Sequence, residues 1–406
     1  MASATITVTD RGRRRVLAET PDRRAGMTDE NAGREGSGVG SSRLRVVQVG
    51  AGGMGRAWLS TIGESPDVEL VGLVDLDRDV ARAAADGAGF GDVPVASRFE
   101  EIVDALGEPG PEALINVTVP KAHHPVSTAA LLAGMAVLCE KPLAETVSEA
   151  LSMVAASELT GQLLMVSQSR RYWRNLAALR RQIEQIGPVG GVSCTFYKEA
   201  HFPGFREVMA YPLLVDMAIH QFDLARLLIG SEPVSVYCES YNPSWSWFAG
   251  DAAAVAVFEF AEGVRFTFDG SWVSPGLETS WNGEWRVSGR DGTAAWDGDR
   301  VPTGQDGASE TLPVEVRDEP EQIAGSLAEF VRTVRVGGTP WGEVHTNVHS
   351  LAMVEAAIRS AESGTRVLVA DVLVDAHAQA VADEQRADVR AVLQSWPSVP
   401  QALTAG

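Results

Sequence analysis

Three polar side chains in the second half of the chain have the spacing of one helix face. Asp216, His220 and Asp223 stand at positions i, i+4 and i+7, so an α-helix would present all three on the same side. A carboxylate one turn from an imidazole can orient its tautomer and stabilise the imidazolium, which gives a general base suited to neutral pH. A solvated charged face and a helical metal site are the alternatives, and the apolar residues around the motif argue against full solvation. We therefore predict that His220 and Asp216 are catalytic.

A lysine follows a predicted strand earlier in the chain. Glu140-Lys141-Pro142 comes directly after the apolar segment 136–139, and ligands of open α/β sheets bind outside the carboxyl ends of the strands. A lysine at that edge can donate to a substrate oxygen and stabilise negative charge as it develops. Taken alone, Lys141 could equally be an exposed surface lysine, and its assignment as catalytic depends on the His220 motif.

The segment Gly50-Ala51-Gly52-Gly53-Met54-Gly55 follows an apolar strand and precedes a helical pattern. In that context the glycines permit a tight turn, close approach of a pyrophosphate and close packing of helix on strand. Asp75 ends the next predicted strand, at the spacing at which a carboxylate binds adenosine ribose hydroxyls and repels a 2′-phosphate. The pattern predicts a dinucleotide site that prefers NAD, and Arg78 leaves NADP possible.

The elements that position these residues fall into two patterns. Short apolar runs alternate with helical stretches from residue 44 to 168, which predicts βαβ units and a doubly wound parallel sheet of the Rossmann type. Strands dominate afterwards, apart from helices near 175–186, 213–229, 321–336 and 344–363, and predict a C-terminal α+β domain with a large open sheet, mostly antiparallel or mixed. The predicted divisions are a disordered extension 1–42, a dinucleotide-binding domain 43–168, a substrate and oligomerisation domain 169–370 and a helical tail 371–406, described as a weakly amphipathic helix with a loose end.

Composition narrows the class of partner and the compartment. The 406 residues carry a formal net charge of −20, which disfavours nucleic acid and anionic membranes as partners. Three cysteines lack any metal-ligand spacing and favour a reducing compartment, and the longest apolar run is shorter than the roughly 20 residues of a bilayer span. We therefore expect a cytoplasmic protein with a small-molecule substrate.

Together these motifs resemble those of the glucose-fructose oxidoreductase, inositol dehydrogenase and MocA family (Gfo/Idh/MocA). The matching segments are Gly50 to Gly55, Asp75, Pro120 and His124 in TVPKAHH, Glu140-Lys141-Pro142, Arg171 in SQSRRY, and Asp216 to Asp223. The resemblance implies an NAD(P)-dependent oxidoreductase that moves a hydride between nicotinamide and a secondary hydroxyl of a sugar or cyclic polyol, assembled as a homodimer or homotetramer through the C-terminal sheet. A keto-sugar reductase and a catalytically silent NAD-binding regulator on the same fold remain the alternatives.

Residue by residue, the resemblance places Lys141 and His220 beside the reacting carbinol, with Asp216 behind His220. The cofactor contacts that follow from the motifs are Gly50, Gly52, Gly53, Met54, Gly55, Asp75, Pro120, His124, Glu140 and Lys141. Departures at Tyr211-Pro212, Ala218 and Trp58 bear on the shape of the substrate pocket.

Further substrate contacts are predicted at Arg171, His201, Trp245 and Asp223. Trp245 lies in a loop, 241–247, that we interpret as a lid, since six tryptophans between 245 and 296 offer flat faces for a sugar ring. Arg170 and Arg174 are interpreted as solvated. His345 and His349 have the i, i+4 spacing of zinc ligands but lack the accompanying glutamate, so packing or surface roles are favoured and no metal is predicted.

Overall fold

The computed structural model describes residues 43–404, so the predicted extension 1–42 lies outside the described residues. The first half forms a six-stranded parallel sheet in the order β3-β2-β1-β4-β5-β6. Its strands are β1 Leu44–Val49, β2 Val68–Val74, β3 Val95–Ala96, β4 Ala113–Asn116, β5 Ala136–Glu140 and β6 Leu164–Ser167. The interposed helices are α1 Gly53–Glu64, α2 Arg78–Gly87, α3 Phe99–Leu106, α4 Pro120–Leu132 and α5 Val147–Thr160. The prediction of a Rossmann-type sheet is confirmed, and its strands are buried along nearly their whole length, as parallel strands covered on both faces must be.

An eight-stranded sheet occupies the second half, in the order β13-β12-β11-β7-β10-β9-β8-β14. Its strands are β7 Val189–Tyr197, β8 Pro233–Tyr241, β9 Ala253–Phe260, β10 Arg265–Ser271, β11 Glu284–Gly289, β12 Gly292–Trp296, β13 Thr303–Asp306 and β14 Val367–Leu368. All neighbours pair antiparallel except β10 and β7, which are parallel. The predicted mixed open sheet is therefore confirmed.

The remaining helices of the second half are α6 Arg174–Ile183, α7 Ile219–Ile229, α8 Gln322–Val336 and α9 Val344–Ser363, and a π-helical segment, Leu213–Ala218, leads into α7. Phe222 fixes α7 on the sheet, because its ring packs edge-on against Phe258 and Phe268, with centroids 4.8 and 5.4 Å away. Aromatic pairs of this kind stabilise by about 1 kcal/mol beyond the area they bury. Aromatic packing against the sheet therefore holds in place the segment that carries Asp216 and His220.

The end of the chain is helical, as in the predicted helical tail, but it forms three packed helices instead of one helix with a loose end. Residues after β14 form α10 Val369–Asp383, α11 Ala387–Ser395 and α12 Val399–Leu403, and α10 and α11 pack on α5. Val372 and Leu393 are buried there, and Trp396 Nε1 donates to Glu158 of α5 over 2.8 Å. Each helix alone is short and weakly patterned, so its apolar face is defined only by tertiary contact with α5. Within the described residues, no helix combines the length and apolar character needed to cross a membrane.

Candidate functional site

The glycine-rich turn between β1 and α1 has the geometry of an anion cradle. Gly50 has φ +106°, and a Cβ on it would lie 2.4 Å from the carbonyl oxygen of Val117. A Cβ on Gly55 would lie 2.3 Å from the Gly50 carbonyl oxygen, so both positions require glycine. No side chain caps the start of α1, and no acidic residue occupies its first turn. The helix N-terminus is therefore left for a negatively charged group, and this fits the pyrophosphate of a dinucleotide.

Asp75 supports the same turn from the end of β2. Its Oδ2 accepts the Ala51 N–H over 2.8 Å and its Oδ1 accepts the Asp77 N–H over 3.1 Å. The carboxylate lines the cleft beside the turn. Arg78, which could have accommodated a 2′-phosphate, forms a salt bridge with Glu101 instead. The local charge at Asp75 consequently favours a ribose hydroxyl over a phosphate.

A single cleft of about 1110 Å³ joins this turn to the π-helical segment. Eleven of the predicted site residues line it, namely Gly50, Gly52, Gly53, Met54, Gly55, Asp75, Pro120, Glu140, Lys141, Asp216 and His220. Five others, His124, Arg171, His201, Asp223 and Trp245, do not. The cleft therefore connects the cofactor fingerprint with the lysine and histidine motifs, which are far apart in the sequence.

Asp216 forms ion pairs rather than a hydrogen bond with His220, which corrects the predicted pairing. Lys141 Nζ donates to the main-chain carbonyl oxygen of Asp216 at 2.9 Å and lies 3.4 Å from its Oδ1. Arg206 Nε donates to Oδ2 over 2.5 Å. Burial raises the pKa of the Asp216 carboxyl, but Lys141 and Arg206 outweigh it, so the pKa lies below its ordinary value.

The local helix geometry explains the difference. Residues 213–218 form a π-helix, in which hydrogen bonds join i to i+5 and each turn is wider than in an α-helix. The i, i+4 rule that would stack Asp216 over His220 therefore does not hold across this segment. The full cationic charges of Lys141 and Arg206 also bind a carboxylate more strongly than a neutral imidazole does.

His220 is buried but lines the cleft, and its Nδ1 has no hydrogen-bond partner among the described residues. Burial lowers the pKa of His220 well below its ordinary value, and the nearby charges of Arg170 and Lys141 lower it further. The imidazole is consequently neutral at neutral pH. A neutral imidazole can accept a proton from a substrate hydroxyl.

Arg170 lines the cleft, which corrects its interpretation as a solvated arginine. It follows β6, and its guanidinium donates to the Trp281 carbonyl oxygen and lies 3.7 Å from Met217 Sδ. With the Gln221 amide oriented to satisfy both of its ends, Arg170 Nη1 also lies 3.3 Å from the Gln221 oxygen. The sequence did contain a sign of this role, because Arg170 comes just after a parallel strand and therefore lies at the same sheet edge as Lys141.

Glu140 holds the start of the lysine segment in place. Its Oε1 accepts Trp58 Nε1–H over 2.9 Å and its Oε2 accepts the Lys141 amide over 3.0 Å. Burial raises the pKa of Glu140, and Trp58 counteracts this only in part. Trp58, noted above as a departure from the family pattern, thus anchors the carboxylate next to Lys141.

The predicted cofactor contact His124 points away from the cleft. His124 lies on α4, where its Nε2 is 3.1 Å from the hydroxyl of Ser152 on α5. The neighbouring His123 contacts the main chain at Pro142 and Thr118 at 2.6 and 3.1 Å. Adjacent helical residues point in different directions, and it is His123 that faces the end of β5. The predicted cofactor contact by His124 is therefore wrong.

Arg171 and Asp223, both predicted to contact substrate, pair with each other instead. The two nitrogens Nε and Nη2 of Arg171 donate to the Asp223 carboxylate, each over 2.7 Å. Ser350 of α9 donates to the same carboxylate over 2.7 Å, and both charged groups are buried. A buried ion that already has its full set of partners has none left for a ligand. This pair joins the end of β6 to α7.

The aromatic predictions are also revised. The ring of His201 stacks on Trp247 with centroids 3.5 Å apart, and Trp245 is 64% exposed and donates to the Val273 carbonyl oxygen. Neither lines the cleft. Trp173, Phe205, Trp281 and Asn282 line it instead. Alternation along a strand cannot tell which loop folds over a distant domain, and this contact is set by the tertiary structure.

The remaining histidine pair is consistent with packing roles. His345 lies between two carboxylates, 2.6 Å from Glu343 Oε1 and 3.0 Å from Glu158 Oε1. His349 Nδ1 lies 3.9 Å from Glu232 Oε2. From residue 43 to 404, no three His, Cys, Asp or Glu side chains come together in a group able to hold a metal ion.

Two family models match successive parts of the chain. The model described as "Oxidoreductase family, NAD-binding Rossmann fold" covers residues 44–168, and that of the "GFO/IDH/MocA C-terminal domain" covers residues 176–295. The chain belongs to the Gfo/Idh/MocA oxidoreductase family. The predictions of the family, of an oxidoreductase and of an NAD-binding Rossmann domain are therefore confirmed.

Three individual proteins of known name or structure share at most about a third of their aligned residues with this chain. D-apiose dehydrogenase of Paraburkholderia graminis is 26% identical over 86% of this chain and 95% of its own length. Inositol 2-dehydrogenase 1 of Saccharopolyspora erythraea is 32% identical, over 48% of this chain and 56% of its own length. An oxidoreductase from Agrobacterium radiobacter, solved in complex with NAD+, L-tartaric acid and magnesium, superposes with a TM-score of 0.73 at 18% identity, over 82% of this chain and all of that one. That structure shows the shared fold.

Proposed function

We propose that this protein is an NAD-dependent dehydrogenase that oxidises a secondary hydroxyl of a sugar or cyclic polyol. The observation that carries the proposal is that Lys141 and His220 line one cleft together with the glycine turn of α1. The relatives that act on apiose and inositol support the class of substrate. Nicotinamide, when bound, supplies the hydride acceptor.

The side chains that line the cleft have different roles in the reaction. His220, which is neutral and lines the cleft, accepts the proton of the substrate hydroxyl. The Lys141 ammonium, held by Asp216, donates to the same oxygen and stabilises the negative charge that develops on it. Asp216 is a positioning residue, because it contacts Lys141 and Arg206. A positioned general base contributes about 10²- to 10⁴-fold to turnover.

The reverse reaction is the second candidate. Arg170 and Lys141 both disfavour the imidazolium of His220, so a protonated His220 readily gives its proton to a carbonyl oxygen. A keto-sugar reductase would use this direction. A catalytically silent regulator is disfavoured, because it would not need Lys141 and His220 in the cofactor cleft.

The assembly and compartment are further parts of the proposal. Val255 is 41% exposed on β9, an interior strand of the eight-stranded sheet, which supports a homodimer or homotetramer formed through that sheet. Cys139, Cys194 and Cys238 are buried free thiols, which supports a reducing, cytoplasmic location.

Initial rates test the function. NAD⁺ and NADP⁺ reduction would be measured side by side on inositols, free aldoses, anhydro-sugars and sugar phosphates, and NADH oxidation on the corresponding ketones. We expect turnover with NAD⁺ and at least one sugar or polyol, and its loss in His220→Ala with NADH affinity retained. NADH binding without turnover in either direction would refute the enzyme and favour the regulator.

A further inference from the structure

Arg170 is a half-buried cation in the cleft wall that contacts no carboxylate of the described residues, and Asp216 acts on it only over a longer distance. From residue 43 to 404, no carboxylate oxygen lies within 4.0 Å of its guanidinium, whereas Arg171 next to it is fully paired with Asp223. The partners of Arg170 are the neutral Trp281 carbonyl, Met217 thioether and Gln221 amide. A guanidinium has five N–H donors, so these contacts leave donors free. Arg170 is half-buried at the cleft wall, so its free donors are directed to whatever occupies the cleft, and an anion there would supply the missing charge-assisted hydrogen bonds.

The surroundings of Arg170 add to the positive charge. Lys141, Arg170 and Arg206 all line the substrate end of the cleft, and Asp216 is the carboxylate that pairs with two of them. Glu140 also lines the cleft, but its oxygens accept from Trp58 and the Lys141 amide. Burial lowers the pKa of Arg170 to about 9, and the charge of Asp216 opposes this shift without contacting the guanidinium. In a chain of net charge −20, this is a local excess of positive charge.

We infer that the substrate carries a carboxylate that binds Arg170, so that the enzyme acts on a sugar acid or polyhydroxy acid in preference to a neutral polyol. The inference rests on the proposed function and narrows its substrate class. A guanidinium can hold a carboxylate through two parallel N–H···O bonds, which fixes orientation as well as affinity. With the carboxylate on Arg170, the carbinol of the same molecule lies toward Lys141 and His220. The hydride leaves the carbinol carbon for NAD⁺, the proton goes to His220, and the carboxylate is unchanged.

Matched pairs of substrates test this inference. Rates of NAD⁺ reduction would be compared for D-gluconate and D-glucitol, D-glucuronate and D-glucose, and L-tartrate and L-threitol, with D-glucose 6-phosphate to separate a phosphate from a carboxylate. We expect kcat/KM to favour the acid of at least one pair by about 10²-fold, the size of effect seen when a buried charged partner is missing. An equal or greater rate for every neutral partner overturns the inference and leaves the dehydrogenase intact. A preference for D-glucose 6-phosphate, with no preference for any of the carboxylic acids, overturns the inference that the substrate carries a carboxylate.

Variants identify the residue responsible. Arg170→Gln should lower kcat/KM for the acid far more than for its neutral partner, so that the ratio falls toward one. Arg174→Gln is the matched control, because Arg174 lies on the outside of the same segment and pairs with Asp318 and Glu321. An unchanged ratio in Arg170→Gln overturns the assignment.

Binding of the acids can be measured even if no compound is turned over. That absence of turnover would itself refute the proposed dehydrogenase activity. In the NADH complex, L-tartrate and D-gluconate should raise the thermal midpoint of the wild type and of Arg174→Gln but not of Arg170→Gln. Absence of any stabilisation by the acids in the wild type overturns the inference.

Discussion

The Lys141 ammonium lies 2.9 Å from the main-chain carbonyl oxygen of Asp216 and 3.4 Å from its Oδ1. This contact joins the end of a Rossmann strand to a π-helical segment of the second half, 75 residues later in the chain. A lysine tied at two points has fewer rotamers to lose when substrate binds, so the contact pre-organises a donor in the cleft. The carbonyl bond depends on the π-helical backbone, and π-helical turns are frequent at functional sites.

Removal of the Lys141 ammonium should therefore affect turnover more than cofactor binding. We expect Lys141→Met to lower kcat by about 10²- to 10³-fold, the usual effect of deleting one donor to a developing oxyanion. Steady-state rates together with NADH fluorescence titration measure the two effects. Lys121→Met is the control, because Lys121 is exposed on α4 and does not line the cleft. Retention of more than a third of wild-type kcat in Lys141→Met would remove the lysine from the reaction.

The environment of His220 predicts an unusual pH profile. Burial and the charges of Arg170 and Lys141 lower its pKa well below 6.5, so His220 stays deprotonated until the pH is more acidic than an ordinary histidine requires. We expect the acid limb of kcat/KM for oxidation to lie below pH 6.5, since kcat/KM reports groups of the free enzyme.

Substitution of Arg170 separates this explanation from titration of another group. Removing a nearby positive charge favours the imidazolium, so Arg170→Gln should move the acid limb to higher pH, whereas Arg174→Gln should not. The measurement is kcat/KM from pH 5 to 9 with the best substrate. A limb that stays in place in Arg170→Gln would show that His220 is not the group being titrated.

The Arg171–Asp223 pair should contribute to folding stability. Asp223→Ala would leave Arg171 and Arg226 buried without their shared carboxylate, and breaking a buried pair from one side costs about 3 to 5 kcal/mol. Urea unfolding should show this loss of the free energy of unfolding. The double variant Arg171→Met/Asp223→Leu should lose less, because no unpaired charge of that pair remains. A loss below about 1 kcal/mol in Asp223→Ala would contradict a structural role.

Local sequence patterns were sufficient for the parallel sheet and its cofactor turn. Gly50, Gly55 and Asp75 act within one βαβ unit, so their spacing already fixes their geometry. Lys141 was predictable for a related reason, because the carboxyl ends of parallel strands meet at one edge of the sheet.

Contacts between distant elements were not predictable in the same way. The pairing of Asp216 depends on Arg206 and on a π-helical segment, and neither has a signal in hydrophobic periodicity. Arg170 and Arg171 are adjacent and chemically identical, yet one lines the cleft and the other is buried against Asp223. Which of them faces the ligand is decided by the packing of α7 and α9, and a single sequence does not contain that information.

The lowered pKa of His349 predicts how the free energy of unfolding changes in acid. Burial lowers its pKa to about 4, Glu232 opposes this shift, and Arg226 adds to it. As the pH falls below 6.5, the unfolded imidazole binds a proton that the folded one does not bind until about pH 4. The unfolded state then holds more protons, so the free energy of unfolding falls across this window. The full effect of this one group is up to about 3 kcal/mol.

The measurement is urea unfolding at intervals from pH 7 to pH 4, on the wild type and on His349→Gln. Buried His123 and His220 and partly buried His124 also have lowered pKa values and add to the same acid loss, while the raised pKa of His345 opposes it. The difference between the two proteins therefore isolates His349. We expect the variant to lose less stability than the wild type between pH 6.5 and pH 4. Parallel curves for the two proteins over that range would mean that His349 is protonated in the folded state, with Glu232 rather than burial determining its charge.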